Sequence, residues 1–270
     1  MRALKTKNAS GHQTTVSRVK NKLNVEGAAQ HAAEIAVLAN RPRKQISGTF
    51  DVIFEPLAFA NLLAQVGDTS SVFAVESGFS PLRNHLGKQV ASSSVTVYDD
   101  GTMPNGYAST AFDAEGHPTQ KNVLIKDGIL QTYLHNASTA IRYKTKSTGN
   151  AGLIAPDPHN LVMAPGTSTK EQLFSSVKKG VYITNVWYTR FQNYSTGDFS
   201  TIPRDGAFYI ENGKIKYALK DIRISENILN MMKNIALVGK EVQQIKSWEV
   251  DTPTFVPHVL VNNVRITKPN

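Results

Sequence analysis

A chain of 270 residues allows one large domain or two small ones, and its 40% apolar and 19% charged content is ordinary for a globular protein with a packed core. It has no cysteine, which excludes disulfides, thiolate metal sites and cysteine nucleophiles and suits a reducing, cytoplasmic setting. No apolar run approaches the roughly 18–20 residues that cross a bilayer, and the opening MRALKTKNASGHQTT has charge without an apolar stretch after it, so neither a membrane span nor a secretory leader is expected.

The net charge of +9 is unevenly placed. Residues 1–50 hold Arg2, Lys5, Lys7, Arg18, Lys20, Lys22, Arg41, Arg43 and Lys44 against Glu26 and Glu34, so the body that follows is nearly neutral. Residues 1–22 are polar and unpatterned and read as a basic, flexible arm; residues 23–270 read as the domain proper. An amphipathic helix is expected over 24–40, where Val25, Ala28, Ala29, Ala32, Ala33, Ile35, Ala36 and Leu38 recur at helical steps and Pro42 ends the run.

GTFDVIFEPLAFANLLAQVGD predicts a strand over Phe50–Phe54 running into a helix with Pro56 in its first turn. Residues 69–94 show no periodicity and read as loop; SSVTVYDDGTM reads as a strand ending at an Asp100-Gly101 turn. VLIKDGILQTY and AFYIENGKIKYAL predict hairpins around Asp127-Gly128 and Asn212-Gly213, dipeptides that supply the positive φ of a tight turn. Between them, Ser168 and Glu171 have capping-box spacing, with Gly180 expected just past the helix end. VYITNVWYTRFQ predicts one long strand, SENILNMMKNI a helix with Ile228, Leu229, Met232 and Ile235 on one face, and TFVPHVLVNNVRI a closing strand. Hairpins outnumber crossovers, so the expected class is α+β, with a large curved, mostly antiparallel, barrel-like sheet and packed helices.

Chemistry is sparse. The seven histidines are scattered, no HExxH or GxSxG occurs, and His31 reads as an exposed partner of Glu34 one helical turn away. Asp113, Glu115 and His117 stand at alternate positions in AFDAEGHPTQ, which places them on one face of an extended chain. They are a candidate metal or proton-sharing trio, but Glu115-Gly116 and Pro118 favour a structural hairpin. STGN at 147–150 is echoed by STGD at 195–198. Loops of that kind present backbone N–H groups and a hydroxyl to an extended ligand, and they are also ordinary turn chemistry.

Taken in order, GYASTAFDAEGHPTQ, the IKDGIL hairpin, STGN, STGDF, the IENGKIKYA hairpin and the helix after it resemble the TldD/PmbA family over roughly residues 50–265. HNLVMAPG at 159–166 resembles the TldE/PmbA branch. The resemblance implies a partnership between zinc metallopeptidases of TldD type and TldE/PmbA-type subunits that lack the metal. The family's HExxxH motif falls on the helix after the first strand, where this chain has Leu63, Ala64 and Asp68 in place of histidine, glutamate and second histidine. The metal-ligand cysteine of TldD-type members has no counterpart here.

The expectation is therefore a non-catalytic TldE/PmbA-like subunit with no catalytic residue and no cofactor of its own. Zinc is expected in a TldD-like partner, and unfolded peptide is the substrate of the pair; a homo-oligomer is a further option. Ser147, Thr148, Gly149, Asn150, His159, Asn160, Ser195, Thr196, Gly197 and Asp198 are the candidate peptide- or interface-facing residues. Two rivals stand beside this reading. One is a nucleic-acid-binding, gyrase-modulator-like module using the basic arm, which the near-neutral body disfavours. The other is a peptidase built on Asp113, Glu115 and His117. Family members also carry an N-terminal domain of similar size ahead of the part matched here.

Overall fold

A computed structural model of the chain describes residues 1–6, 9–43 and 45–268; Lys7 and Lys44 of the basic segment and residues 269–270 lie outside it. The first elements are β1 (Arg2–Thr6), β2 (Ala9–His12), α1 (Val25–Leu38), β3 (Gly48–Phe54), α2 (Pro56–Thr69), α3 (Val72–Glu76) and β4 (Val97–Asp100). The middle of the chain forms β5 (Lys121–Lys126), β6 (Ile129–Leu130), α4 (Ala137–Arg142), β7 (Leu161–Met163), α5 (Lys170–Ser175), β8 (Lys179–Ile183), β9 (Val186–Asn193) and β10 (Asp198–Pro203). The last part forms β11 (Ala207–Glu211), β12 (Lys214–Ala218), β13 (Arg223–Asn227), α6 (Ile228–Lys233), β14 (Ile235–Val238), β15 (Gln243–Ser247), β16 (Val250–Val256) and β17 (Val259–Thr267).

The class is α+β, but the strands divide into two open sheets and a small hairpin instead of one barrel-like sheet. The larger sheet runs β12-β11-β8-β3-β17-β13-β10-β9 with β14 beside β17, and the smaller runs β15-β16-β7-β4-β5-β6. Pairing is antiparallel except β3 with β8 and β7 with β16. Between the sheets lies α2, touching β3 and β9 on one side and β7, β15 and β16 on the other. Its run of alanines and leucines is apolar all round, which suits a helix covered on every face. Phe54, Phe59, Leu62 and Leu63 are among its neighbourhood's fully buried side chains, and truncating one such phenylalanine costs about 3–5 kcal/mol.

The N-terminal segment read as an arm is folded here. β1 and β2 pair as a hairpin on α1, and Ala9, Ile35 and Ala39 join Ile53, Tyr182, Phe208 and Leu260 in a second apolar cluster. Residues 13–18 then cross the smaller sheet, where the Val16 carbonyl accepts from Gln244 at 3.0 Å and Arg18 donates to the Ser109 carbonyl at 2.8 Å.

Several elements depart from the sequence reading. The run 181–192 breaks at Thr184-Asn185 into β8 and β9, and the closing run breaks at Pro257-His258 into β16 and β17, which belong to different sheets. The capping box sits one residue later than expected: Thr169 Oγ1 accepts from the Gln172 N–H at 3.2 Å, and Gln172 Oε1 accepts from the Thr169 N–H at 2.8 Å. Gly180 lies within β8, because α5 already ends at Ser175. Residues 72–76, read as loop, form α3, and 225–227, read as the start of a helix, belong to β13. No helix among the described residues is long and apolar enough to cross a membrane.

Candidate functional site

Loop segments at one end of the smaller sheet meet around Asp99, which is wholly buried at the end of β4. Asn150 Nδ2 donates to Asp99 Oδ2 at 2.6 Å and to the Asp157 carbonyl at 3.0 Å; the His159 N–H donates to Asp99 Oδ1 at 2.7 Å. Asn122 Nδ2 reaches Asn150 Oδ1 at 3.0 Å and the Thr148 carbonyl at 2.8 Å. Thr148 Oγ1 accepts from the His135 N–H and donates to the His135 carbonyl, while the His159 ring lies 2.9 Å from the Gly149 carbonyl. Asn160, also wholly buried, donates to the Asp100 carbonyl at 2.8 Å and to Ser109 at 3.0 Å. Burial pushes the Asp99 carboxyl up to about 6, against the pull of its Asn150 and His159 donors.

STGN and HN thus converge, but their side chains turn inward to one buried network. The surface of this region is made instead by the loop tip, where Leu153 is 96% and Ile154 83% exposed. Two neighbouring loops are tied to it. The Ala114 N–H donates to the Ala151 carbonyl, and the Ala137 N–H at the start of α4 donates to Glu115 Oε2. Phe112 and Ile141, on these two loops, are exposed as well.

STGD lies apart, and no hydrogen bond joins it to STGN among the described residues. It is the turn from β9 to β10, with Ser195, Thr196 and Asp198 exposed. Asn227 ties it to α6: its Nδ2 donates to the Thr196 carbonyl and to Asp198 Oδ1, and its Oδ1 caps Leu229 and Asn230. Bonds from Asn227 and Thr196 hold the Asp198 carboxyl below the usual range.

The Asp113, Glu115 and His117 trio does assemble, its ligand atoms lying within 4.8 Å of one another. The carboxylates are already engaged. Asp113 Oδ1 accepts from the N–H groups of Glu115 and His117 at 3.0 and 2.9 Å, Asp113 Oδ2 from Ala151 at 2.9 Å, and Glu115 from Ala137 at 2.8 Å. Phe112 faces Pro118 across this hairpin, and Gly116 takes φ +80° at its turn.

The positions that the sequence resemblance aligned with a zinc motif, Leu63, Ala64 and Asp68, are a different matter. Leu63 and Ala64 are 0% and 3% exposed in the main core and offer no ligand atom. Asp68, in the last turn of α2, reaches water by surface area, yet crowding and then the charges of Asp157 and Asp251 push its carboxyl up to about 6. Two apolar side chains and one carboxylate do not make a zinc donor set.

Residues 47–268 match the family described as the PmbA/TldA metallopeptidase C-terminal domain. The chain belongs to this family. It is 31% identical over 228 residues to a metalloprotease TldD homolog of Buchnera aphidicola, covering 82% of this chain and 47% of that protein. It is 32% identical over 203 residues to the metalloprotease PmbA of Escherichia coli O157:H7, covering 75% and 43%. The crystal structure of TldE from Thermococcus kodakarensis superposes with a TM-score of 0.80 at 26% identity, covering 91% of this chain and 56% of that one. The chain therefore spans about half the length of the curated relatives it matches. Identity to the TldD and PmbA relatives is nearly equal, so the branch rests on individual residues.

One cluster escaped the sequence reading. His31 lies 3.7 Å from Glu34 as expected, but its closer partner is Glu55 at 3.0 Å, across a separation of 24 residues that no local pattern reports. A glutamate just ahead of a largely apolar helix was the available signal.

Proposed function

We propose that this chain is a TldE/PmbA-like, non-catalytic subunit that pairs with a zinc-bearing TldD-type chain in the breakdown of unfolded peptides. The observation that carries the reading is the apolar, buried pair Leu63–Ala64 where the zinc ligand and general base of the catalytic branch would stand. In this reading the chain contributes binding surface, and hydrolysis belongs to the partner's zinc. Unfolded peptide is held by strand addition at a free sheet edge. The eight-residue β9 at the margin of the larger sheet is the best edge for it.

The partner surface is assigned to the loop tip around 151–156. STGN and HN act beneath it as the rigid support that fixes its shape, and STGD fixes the β9–β10 turn. The nucleic-acid reading is less well supported. Arg2 stands 3.5 Å from Asp205 and over the Trp187 ring, and Arg18 donates to backbone carbonyls, so two cations of the basic segment are engaged within the protein.

Co-purification with a TldD-type chain tests the assignment. The pair is expected to elute together, and Leu153→Asp with Ile154→Asp is expected to separate it without lowering the melting temperature of this chain. An unchanged complex would remove the loop tip from the interface; self-association lost in the double variant would make the surface one between copies of this chain.

A further inference from the structure

A cavity of about 730 Å³ opens between α1, the segment 13–17 and the edge strand β15, at the end of α2 opposite Asp68. Its volume is in the range of small-molecule sites. None of the candidate residues discussed above lines it. At its floor is Glu55, 1% exposed, on which three donors converge. The Tyr182 hydroxyl donates to Oε1, His31 Nε2 lies 3.0 and 3.2 Å from the two oxygens, and Lys170 Nζ lies 3.8 Å from Oε1.

Burial opposes ionisation of Glu55, but the His31 bond and the nearby cations outweigh it and hold the carboxyl below the usual range. The bond to Glu55 in turn raises the His31 imidazole. Glu55 thus faces the His31 ring and the Lys170 ammonium, and Lys170, whose side chain is 41% exposed, has donors left over. His258 completes this end of the cavity as a neutral ring, pushed down to about 4 by burial, and its Nε2 has no hydrogen-bond partner among the described residues. Lys22 and Glu241 also line the cavity with opposite charges, and Glu34 and Glu171 stand nearby; all four are exposed, where water and salt screen them.

We propose that this cavity is a binding site for a carboxylate, held by Lys170 beside Glu55, with the body of a small ligand lying along Thr15, Asn24 and Gln243. A cationic ligand meets the ammonium groups of Lys170 and Lys22. The cavity offers a phosphate no guanidinium fork. A carboxylate pairs with the Lys170 ammonium, and the hydroxyl and amide side chains along the walls match a neutral polar remainder such as a peptide unit. The carboxylate has two sources of the same chemistry, the end of a short peptide or a free organic acid. This inference stands apart from the subunit reading, since the site contains no residue used there.

Isothermal titration of the whole chain with acetyl-dialanine, its C-terminal amide, propionate and inorganic phosphate tests the proposal. Acetyl-dialanine is expected to bind at least tenfold more tightly than its amide. Lys170→Met, a change at a side chain that is 41% exposed, is expected to remove that preference while the variant still melts in one cooperative transition. Propionate as tight as the peptide acid would support the site with a free acid as its source, and weaker propionate would support a peptide end. Equal binding of acid and amide, tighter binding of phosphate, an acid preference that survives Lys170→Met, or no binding of either carboxylate at millimolar concentration would each overturn it.

Discussion

The loops STGN and STGD differ by one residue and have opposite surroundings. At 147–150 the chain turns inward: Thr148 and Asn150 are buried, and every polar side chain of the pair is bonded to another loop or to Asp99. At 195–198 it turns outward, and its bonds stay within the turn or reach the neighbouring Asn227. Both glycines have positive φ, +66° and +84°, so the turn itself is common to both. What differs is the neighbour. A side chain at Gly149 would meet the Pro118 backbone carbonyl, whereas one at Gly197 would meet the side chains of Ile228 and Pro81. A shared motif therefore reports a shared backbone shape, and burial decides whether the polar residues are a framework or a surface.

That contrast can be broken by substitution. Asn150→Ala leaves the buried Asp99 carboxylate without its side-chain donor and is expected to cost about 3 kcal/mol, a drop of about 6–10 °C in melting temperature. Thr196→Ala in the exposed turn is expected to cost less than about 0.5 kcal/mol. Comparable losses at both sites would mean that the loops are equivalent after all.

A smaller effect sharpens the same comparison through pH. The Asp99 carboxyl is raised to about 6, so the folded protein takes up its proton before the unfolded chain does. Between about pH 6 and the ordinary carboxylate value, acidification therefore favours the folded state through this group. The Asp198 carboxyl is lowered, so its contribution is present above the ordinary value and is lost as pH falls through the folded one. Carboxyl NMR titration is expected to give an Asp99 midpoint near 6 and an Asp198 midpoint below 3.8. The reverse order would contradict the assignment of inside and outside.

Much of the scaffold was legible in the residues. Asp127-Gly128 and Asn212-Gly213 turn as their types require, and Asn24 caps α1 at the expected start. The breaks at Thr184-Asn185 and Pro257-His258 were not, because β-branched residues continue on both sides; β8 and β9 stay in the larger sheet, and β16 and β17 part into different sheets. The site was legible in part. Asp113, Glu115 and His117 do meet, but through the turn at Gly116 and not on one face of an extended chain, and the N–H groups of Ala137 and Ala151 that occupy the carboxylate oxygens come from other loops. Loop polar residues have no period, so the convergence of Asn150, His159 and Asn160 on Asp99 and Asp100 needed coordinates.

The central proposal is that this chain supplies binding surface while a partner supplies the zinc chemistry, and it rests on Leu63 and Ala64, which offer neither a metal ligand nor a base. The direct measurement is hydrolysis of an unfolded peptide by this chain alone, by a TldD-type chain alone and by the two together, with and without added zinc. The account predicts no turnover by this chain in any metal condition and zinc-dependent turnover by the pair that exceeds that of the TldD-type chain alone. Zinc-dependent turnover by this chain alone, abolished by Asp113→Ala or Glu115→Ala, would contradict it.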